Sequence, residues 1–180
     1  MSNTSTFKIV LTSLFAALIC VATMLVQIPI PATGGFANLG DGVILMCAFL
    51  MNPVNAILAA GLGSMLADIL AGYISFAPGT LVIKAGVALI AAYAFNHFGR
   101  NRSARMQMVV MIAVSILAEV FMILGYFFYE AVCLGIGMSA AGAIIGNVGQ
   151  GGVAVIVACI VTPVLARSHE VRELMGKTRR

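Results

Sequence analysis

With 180 residues, 62% of them hydrophobic and only 9% charged, the chain lacks the polar surface of a water-soluble domain, in which roughly a quarter of residues are charged. A mean hydropathy of +1.10 makes lipid the solvent for most of its surface. The formal charge of +4 sits in segments between apolar runs, so it reads as a topology signal and a contact for the bilayer, with no nucleic acid implied.

The expected fold is all-α: an integral membrane bundle of about six transmembrane helices forming one domain over residues 1–180. The first span covers residues 8–27. It shows no small-residue cleavage pattern and runs into Gln27-Ile28-Pro29, which marks a retained helix and not a leader peptide. A second, short span follows at 39–51, then 54–72, 79–98, 106–129 and 140–166, with a charged tail at 167–180. The breaks fall at Pro29-Ile30-Pro31 with Gly34-Gly35, at Asn52-Pro53, at Ala77-Pro78-Gly79 and around Gly135 and Gly137. Cys20, Cys47, Cys133 and Cys159 have no CxxC spacing, so neither a metal nor a disulfide is expected.

Placed along these spans, Lys8, then Arg100, Arg102 and Arg105, then Arg167, Arg172, Lys177, Arg179 and Arg180 all fall on one side. By the positive-inside rule that side is the cytoplasm, and both termini lie there. The opposite loops, 29–38, 73–78 and 130–139, contain no Lys or Arg.

One basic residue breaks the rule. Lys84 lies within the fourth span, and Asp41, Asp68, Glu119 and Glu130 lie in or beside the membrane. An ionisable group in hydrocarbon costs about 2.5–3.5 kcal/mol or more, which marks it as functional or as half of a structural pair. At about 1.5 Å per residue, Lys84 sits roughly 8 Å below the outer end of its helix and Glu119 roughly 15 Å below. Asn147 and Gln150 lie roughly 10–15 Å down the last span. Glu119, Tyr126 and Glu130 stack on one face, as do Thr80 with Lys84 and Asn147 with Gln150. All of these polar groups occupy the outer half, which describes a pocket and not a channel. The structural alternative is a Lys84 ion pair with Glu119 or Asp68 that serves only packing.

Gly61, Ser64 and Asp68, and the glycines of the last span, read as close helix packing. In the first span Ser13 with Ala17, and Ala16 with Cys20, place small residues a turn apart. These serve either internal packing or docking to another membrane protein. No HExxH, GxSxG or P-loop motif is present, so no enzyme is expected, and uphill transport would need a partner to supply energy.

The stretch IPIPATGGFANLGD at 28–41 resembles the first outer loop and following helix of the substrate-binding S components of energy-coupling-factor (ECF) transporters. Residues 60–68 (AGLGSMLAD), Gly72-Tyr73 and 77–84 (APGTLVIK) resemble the family's third and fourth spans. The likeness is closest to the hydroxymethylpyrimidine or vitamin B6-type branch, with pantothenate carriers another candidate. The resemblance implies a six-helix bundle in a bacterial cytoplasmic membrane, binding a small vitamin near the outer face under a loop that acts as a lid. It also implies an EcfT-type transmembrane coupling protein and two EcfA-type ATPases as partners, bodily reorientation in the membrane, and no cofactor. The Ala-x-x-x-Ala docking motif typical of the family's first helix is absent from the first span, where Ser13, Ala16, Ala17 and Cys20 stand as substitutes.

The expected mechanism has loop 31–38 closing over a ring-sized solute. Asn38, Lys84, Glu119, Asn147 and Gln150 bond its polar edge, Phe36 and Tyr126 pack its flat face, and Asp41 and Thr80 complete the set. On this reading Lys84→Met weakens binding at least about tenfold. Two rivals remain: a proton-coupled secondary transporter using Glu119 or Asp68, and a non-transport scaffold holding a structural Lys84–Glu119 pair.

Overall fold

The computed structural model describes residues 2–169 and residue 171, so the charges at Arg172, Lys177, Arg179 and Arg180 lie outside the described residues. In chain order the elements are α1 (Ser2–Leu25), a hairpin of β1 (Gln27–Ile30) and β2 (Gly35–Asn38), and α2 (Gly40–Leu50). There follow α3 (Pro53–Leu70), α4 (Ala77–Phe98) and α5 (Ala104–Phe128). A π-helical turn (Tyr129–Cys133), a 3-10 segment (Gly137–Ala143) and α6 (Ile144–Leu165) complete the chain.

Local chemistry explains several boundaries. Asn52 caps α3, its side chain accepting from Asn55 N at 3.2 Å, and Pro53 occupies the first turn, where its missing N–H costs nothing. Pro78 plays the same part in α4. The first span stops at Leu25 and not at Gln27, because Pro29 and Pro31 cannot continue a helix. Residues 29–38, expected as a loop, instead belong to an antiparallel ribbon over 27–38 that pairs Gln27 with Asn38 and Ile30 with Gly35. Its turn closes with Gly34 N donating to Ile30 O at 3.0 Å, and Gly34 sits at φ +71°, a conformation open to glycine.

Among the described residues five helices are long and apolar enough to cross a membrane, and α2 is shorter. Eleven residues reach only about 16 Å, half a hydrocarbon core. The short second span is therefore not a lipid-facing crossing. All of its residues except Val43 are buried, and it packs against α1, α3, α4 and α6. Around it α1, α3, α4, α5 and α6 contact one another in that order. Their outward faces carry exposed apolar side chains such as Leu14, Val82, Leu124 and Ile145, as lipid-facing helices do. The core runs through Ile44, Leu45, Phe49, Val87, Ala91, Val114 and Ala158, with Phe49 edge-on to Phe95 at 4.9 Å.

Small residues set the closest approaches. A Cβ on Gly63 would stand 2.5 Å from the backbone oxygen of Ala16, so α1 and α3 touch almost backbone to backbone there. A Cβ on Gly61 would meet Leu81 O at 3.0 Å, joining α3 to α4 in the same way. In α6 only part of the glycine pattern is packing: Gly151 lies against Glu119, whereas Gly149 and Gly152 have nothing within 4 Å.

Candidate substrate site

The centre of the polar network is Asp41, in the first turn of α2, where the helix N-terminus favours a negative charge. Lys84 from α4 donates to both of its oxygens, Nζ lying 2.6 Å from Oδ1 and 2.7 Å from Oδ2. Gln150 from α6 donates its Nε2 to Asp41 Oδ2 at 2.5 Å and accepts at Oε1 from Asn38 N at 2.7 Å. Asn38 in turn accepts from Gly40 N at 2.9 Å, holding the entry to α2. One chain of bonds thus ties the hairpin, α2, α4 and α6 together in the buried interior. The structural alternative for Lys84 named the wrong acid: its partner is Asp41, and neither Glu119 nor Asp68 forms the ion pair. Spacing along one helix cannot reveal this, because Asp41 reaches Lys84 from a different helix.

Above this pair lies a narrow cavity of about 20 Å³, room for about one water. Its lining includes Phe36, Asn38, Thr80, Tyr126, Asn147 and Gln150, all expected in the site. Asp41, Lys84 and Glu119 do not line it. They form a buried layer beneath it. The cavity adds five residues that sequence reasoning left out of the set: Ile30, Gly35, Asp68, Phe76 and Glu130. For the two acids the signal was present in their intramembrane charge. For Ile30 and Phe76 nothing in the pattern marks them.

Thr80 and Tyr126 share a hydrogen bond at 2.9 Å, and Lys84 Nζ sits 5.2 Å from the centroid of the Tyr126 ring, within cation–π range. The hairpin is fixed over the cavity at several points. Ile30 and Ala37 form an apolar cluster with Ala143, the Phe36 ring lies tilted against Tyr73 with centroids 4.6 Å apart, and Gly35 lies so close to Phe76 that a Cβ would meet its ring at 3.1 Å. A two-stranded ribbon is marginal alone, so these anchors hold it down. Glu130 is aimed inward by the π-helical turn, a distortion often found at functional sites.

The acids leave acceptors to spare. Among the described residues, one carboxylate oxygen each of Asp68 and Glu130, and both of Glu119, find no hydrogen-bond partner although buried. Lys84, the one buried basic residue among those described, is already engaged by Asp41.

On α1 the candidate docking residues divide. Ser13 and Ala17 are exposed, while Ala16 and Cys20 are half-buried, Ala16 lying against α3. Cys20, Cys47, Cys133 and Cys159 are all free thiols.

The sequence model of the family described as ECF-type riboflavin transporter, S component, matches residues 3–167. The chain belongs to that family. As an S component it is the substrate-binding subunit of a membrane transporter, and the family is not one of enzymes. A protein of Pyrococcus woesei, described as an uncharacterized protein in a gap 3' region, is 36% identical over 126 residues, covering 68% of this chain and 78% of its own. Among solved structures, the S component of a bacterial ECF transporter superposes with a TM-score of 0.66 over 88% of this S component and 95% of its own chain. At 21% identity that likeness establishes the shared fold.

Proposed function

We propose that this S component captures a small, donor-rich heteroaromatic vitamin or precursor, of the hydroxymethylpyrimidine or pyridoxine type, beneath the β1–β2 hairpin. The observation that carries the reading is the surplus of buried acceptors around the cavity: Asp68 and Glu130 each present an oxygen without a partner, and the buried Lys84 ammonium is already bound. Buried acceptors are costly unless a donor meets them, so the complementary ligand brings amino, hydroxyl or protonated ring-nitrogen groups. Phe36 and Tyr126 supply aromatic faces for its ring, and Asn147 and Gln150 read its edge. A pantothenate-type ligand fits less well, since its carboxylate would face Asp68 and Glu130.

The cavity at about 20 Å³ is too small for any such ligand, so capture requires the hairpin to lift and reseat. The bond from Asn38 to Gln150 is the latch, because it joins the ribbon's last residue to the network below. The basic end of the bundle faces the cytoplasm and the hairpin end faces outward. Release inward depends on an EcfT-type coupling protein, with two EcfA-type ATPases supplying energy. The exposed Ser13/Ala17 face of α1 is the candidate docking stripe.

Riboflavin is the second reading, favoured by the description of the matching family. Its ribityl hydroxyls also supply donors, but its three-ring system demands a wider opening.

The test is a thermal-shift and calorimetric screen of the detergent-purified protein against hydroxymethylpyrimidine, pyridoxine, riboflavin, pantothenate and thiamine. Stabilisation at low concentration by one of the first two supports the proposal. Stabilisation by riboflavin alone transfers it to the second reading. Preference for pantothenate, or no stabilisation of a folded protein by any compound, refutes the donor-rich site.

A further inference from the structure

A second and larger cavity, of about 410 Å³, opens at the opposite end of the bundle, where the ends of α2, α4 and α6 meet the start of α5. Its volume falls within the range of small-molecule sites, and nothing in the capture mechanism uses it. Its floor is apolar, with Phe49, Phe95, Met108 and Met111. Its rim is basic, with Arg100 from the α4–α5 turn and Arg167 just beyond α6.

Three further features point to an anion at that rim. Arg100 carries two guanidinium nitrogens, Nε and Nη2, that are buried and without hydrogen-bond partners. Thr162, 4% exposed and on the cavity wall, has a hydroxyl that also lacks a partner. Ala104 brings the N-terminus of α5 to the same rim, and Ser103 forms no side-chain cap there, so the first-turn N–H groups remain available to a negative ligand. Burial also holds the Arg100 guanidinium below its ordinary pKa, which a bound anion would reverse.

We infer that this cavity is a binding site for an anionic phospholipid, its phosphate between Arg100, Arg167 and the start of α5, and one acyl chain laid on the Phe49–Met111 floor. A soluble anion would satisfy the rim and leave the floor unfilled. A zwitterionic lipid would fill the floor but set a cationic group against two arginines. Basic pockets between helices at a membrane surface are suited to anionic headgroups, and the bilayer supplies such lipids at high local concentration. Arg102 and Arg105 add to the attraction from outside the cavity.

The test is native mass spectrometry of the full chain in neutral detergent, titrated with phosphatidylglycerol or with phosphatidylcholine. One phosphatidylglycerol is expected to stay bound under activation that strips phosphatidylcholine. Arg100→Gln and Arg167→Gln should each weaken retention at least about fivefold, the equivalent of about 1 kcal/mol per basic contact. Arg102→Gln, outside the cavity, should change it far less. Met108→Trp, which fills the floor without altering charge, should also expel the lipid and gives a second readout if an arginine variant fails to fold. Equal retention of the two lipids, wild-type retention in both Arg100→Gln and Met108→Trp, or displacement by excess inorganic phosphate would each overturn the inference.

Discussion

Replacing Lys84 by Met isolates the energetics of the central network. Met is nearly as long and wholly apolar, so the packing of α4 is kept while the charge and two hydrogen bonds, at 2.6 and 2.7 Å, are removed. Asp41 is fully buried, and Lys84 is only 2% exposed. The variant therefore strands a carboxylate with Gln150 and the α2 N-terminus as its remaining support. Breaking a buried pair in this way costs about 3–5 kcal/mol. For a chain of this size that is a fall of about 6–20 °C in melting temperature, readable by thermal unfolding in detergent. Asp41→Asn alone should also destabilise, since Lys84 then loses its counter-charge. The Asp41→Asn/Lys84→Met double variant should recover at least about 2 kcal/mol relative to the sum of the singles, because its members share one interaction. Ligand affinity in Lys84→Met should fall as well, through the loosened Gln150 contact to the hairpin and not through lost ligand contact. A loss below about 1 kcal/mol in the single variant, or strict additivity in the double, would refute the account of Asp41–Lys84 as the structural centre of the site.

Two further outcomes test the hairpin and the helix packing. Gln150→Leu removes both the donor to Asp41 and the acceptor for Asn38 N. It should weaken ligand binding by about 1–3 kcal/mol, mainly as faster release in stopped-flow dissociation. A variant with wild-type release would mean the hairpin is latched elsewhere. Gly63→Ala places a methyl 2.5 Å from Ala16 O, a backbone atom that no rotamer change can move. It should lower stability by about 1–3 kcal/mol, whereas Gly152→Ala, with nothing within 4 Å, should leave the melting temperature almost unchanged.

The order of the residues by itself decided a great deal. Apolar runs long enough to cross a bilayer, cut by Pro, Gly and Asn, specify a helical membrane bundle, because lipid leaves the backbone no other way to satisfy its hydrogen bonds. The grouping of Arg100, Arg102, Arg105 and Arg167 away from the loops at 29–38, 73–78 and 130–139 separates the two ends of the bundle. The intramembrane position of Lys84 and its acidic neighbours marks the candidate site, because hydrocarbon makes an idle charge expensive. Three things were settled only in the folded molecule. Residues 27–38 become a ribbon, since two four-residue segments, the first interrupted by Pro29, reach sheet geometry only when Ala143, Tyr73 and Phe76 are there to receive them. The 39–51 segment sits inside the bundle, since burial of Asp41 requires partners from α4 and α6 on either side of it. The division of the polar set into a cavity lining and a supporting layer also depends on contacts across helices. Periodicity reports which residues share a face of one helix, and pairing between Asp41, Lys84 and Gln150 depends on how three different helices are rotated and set in depth against each other.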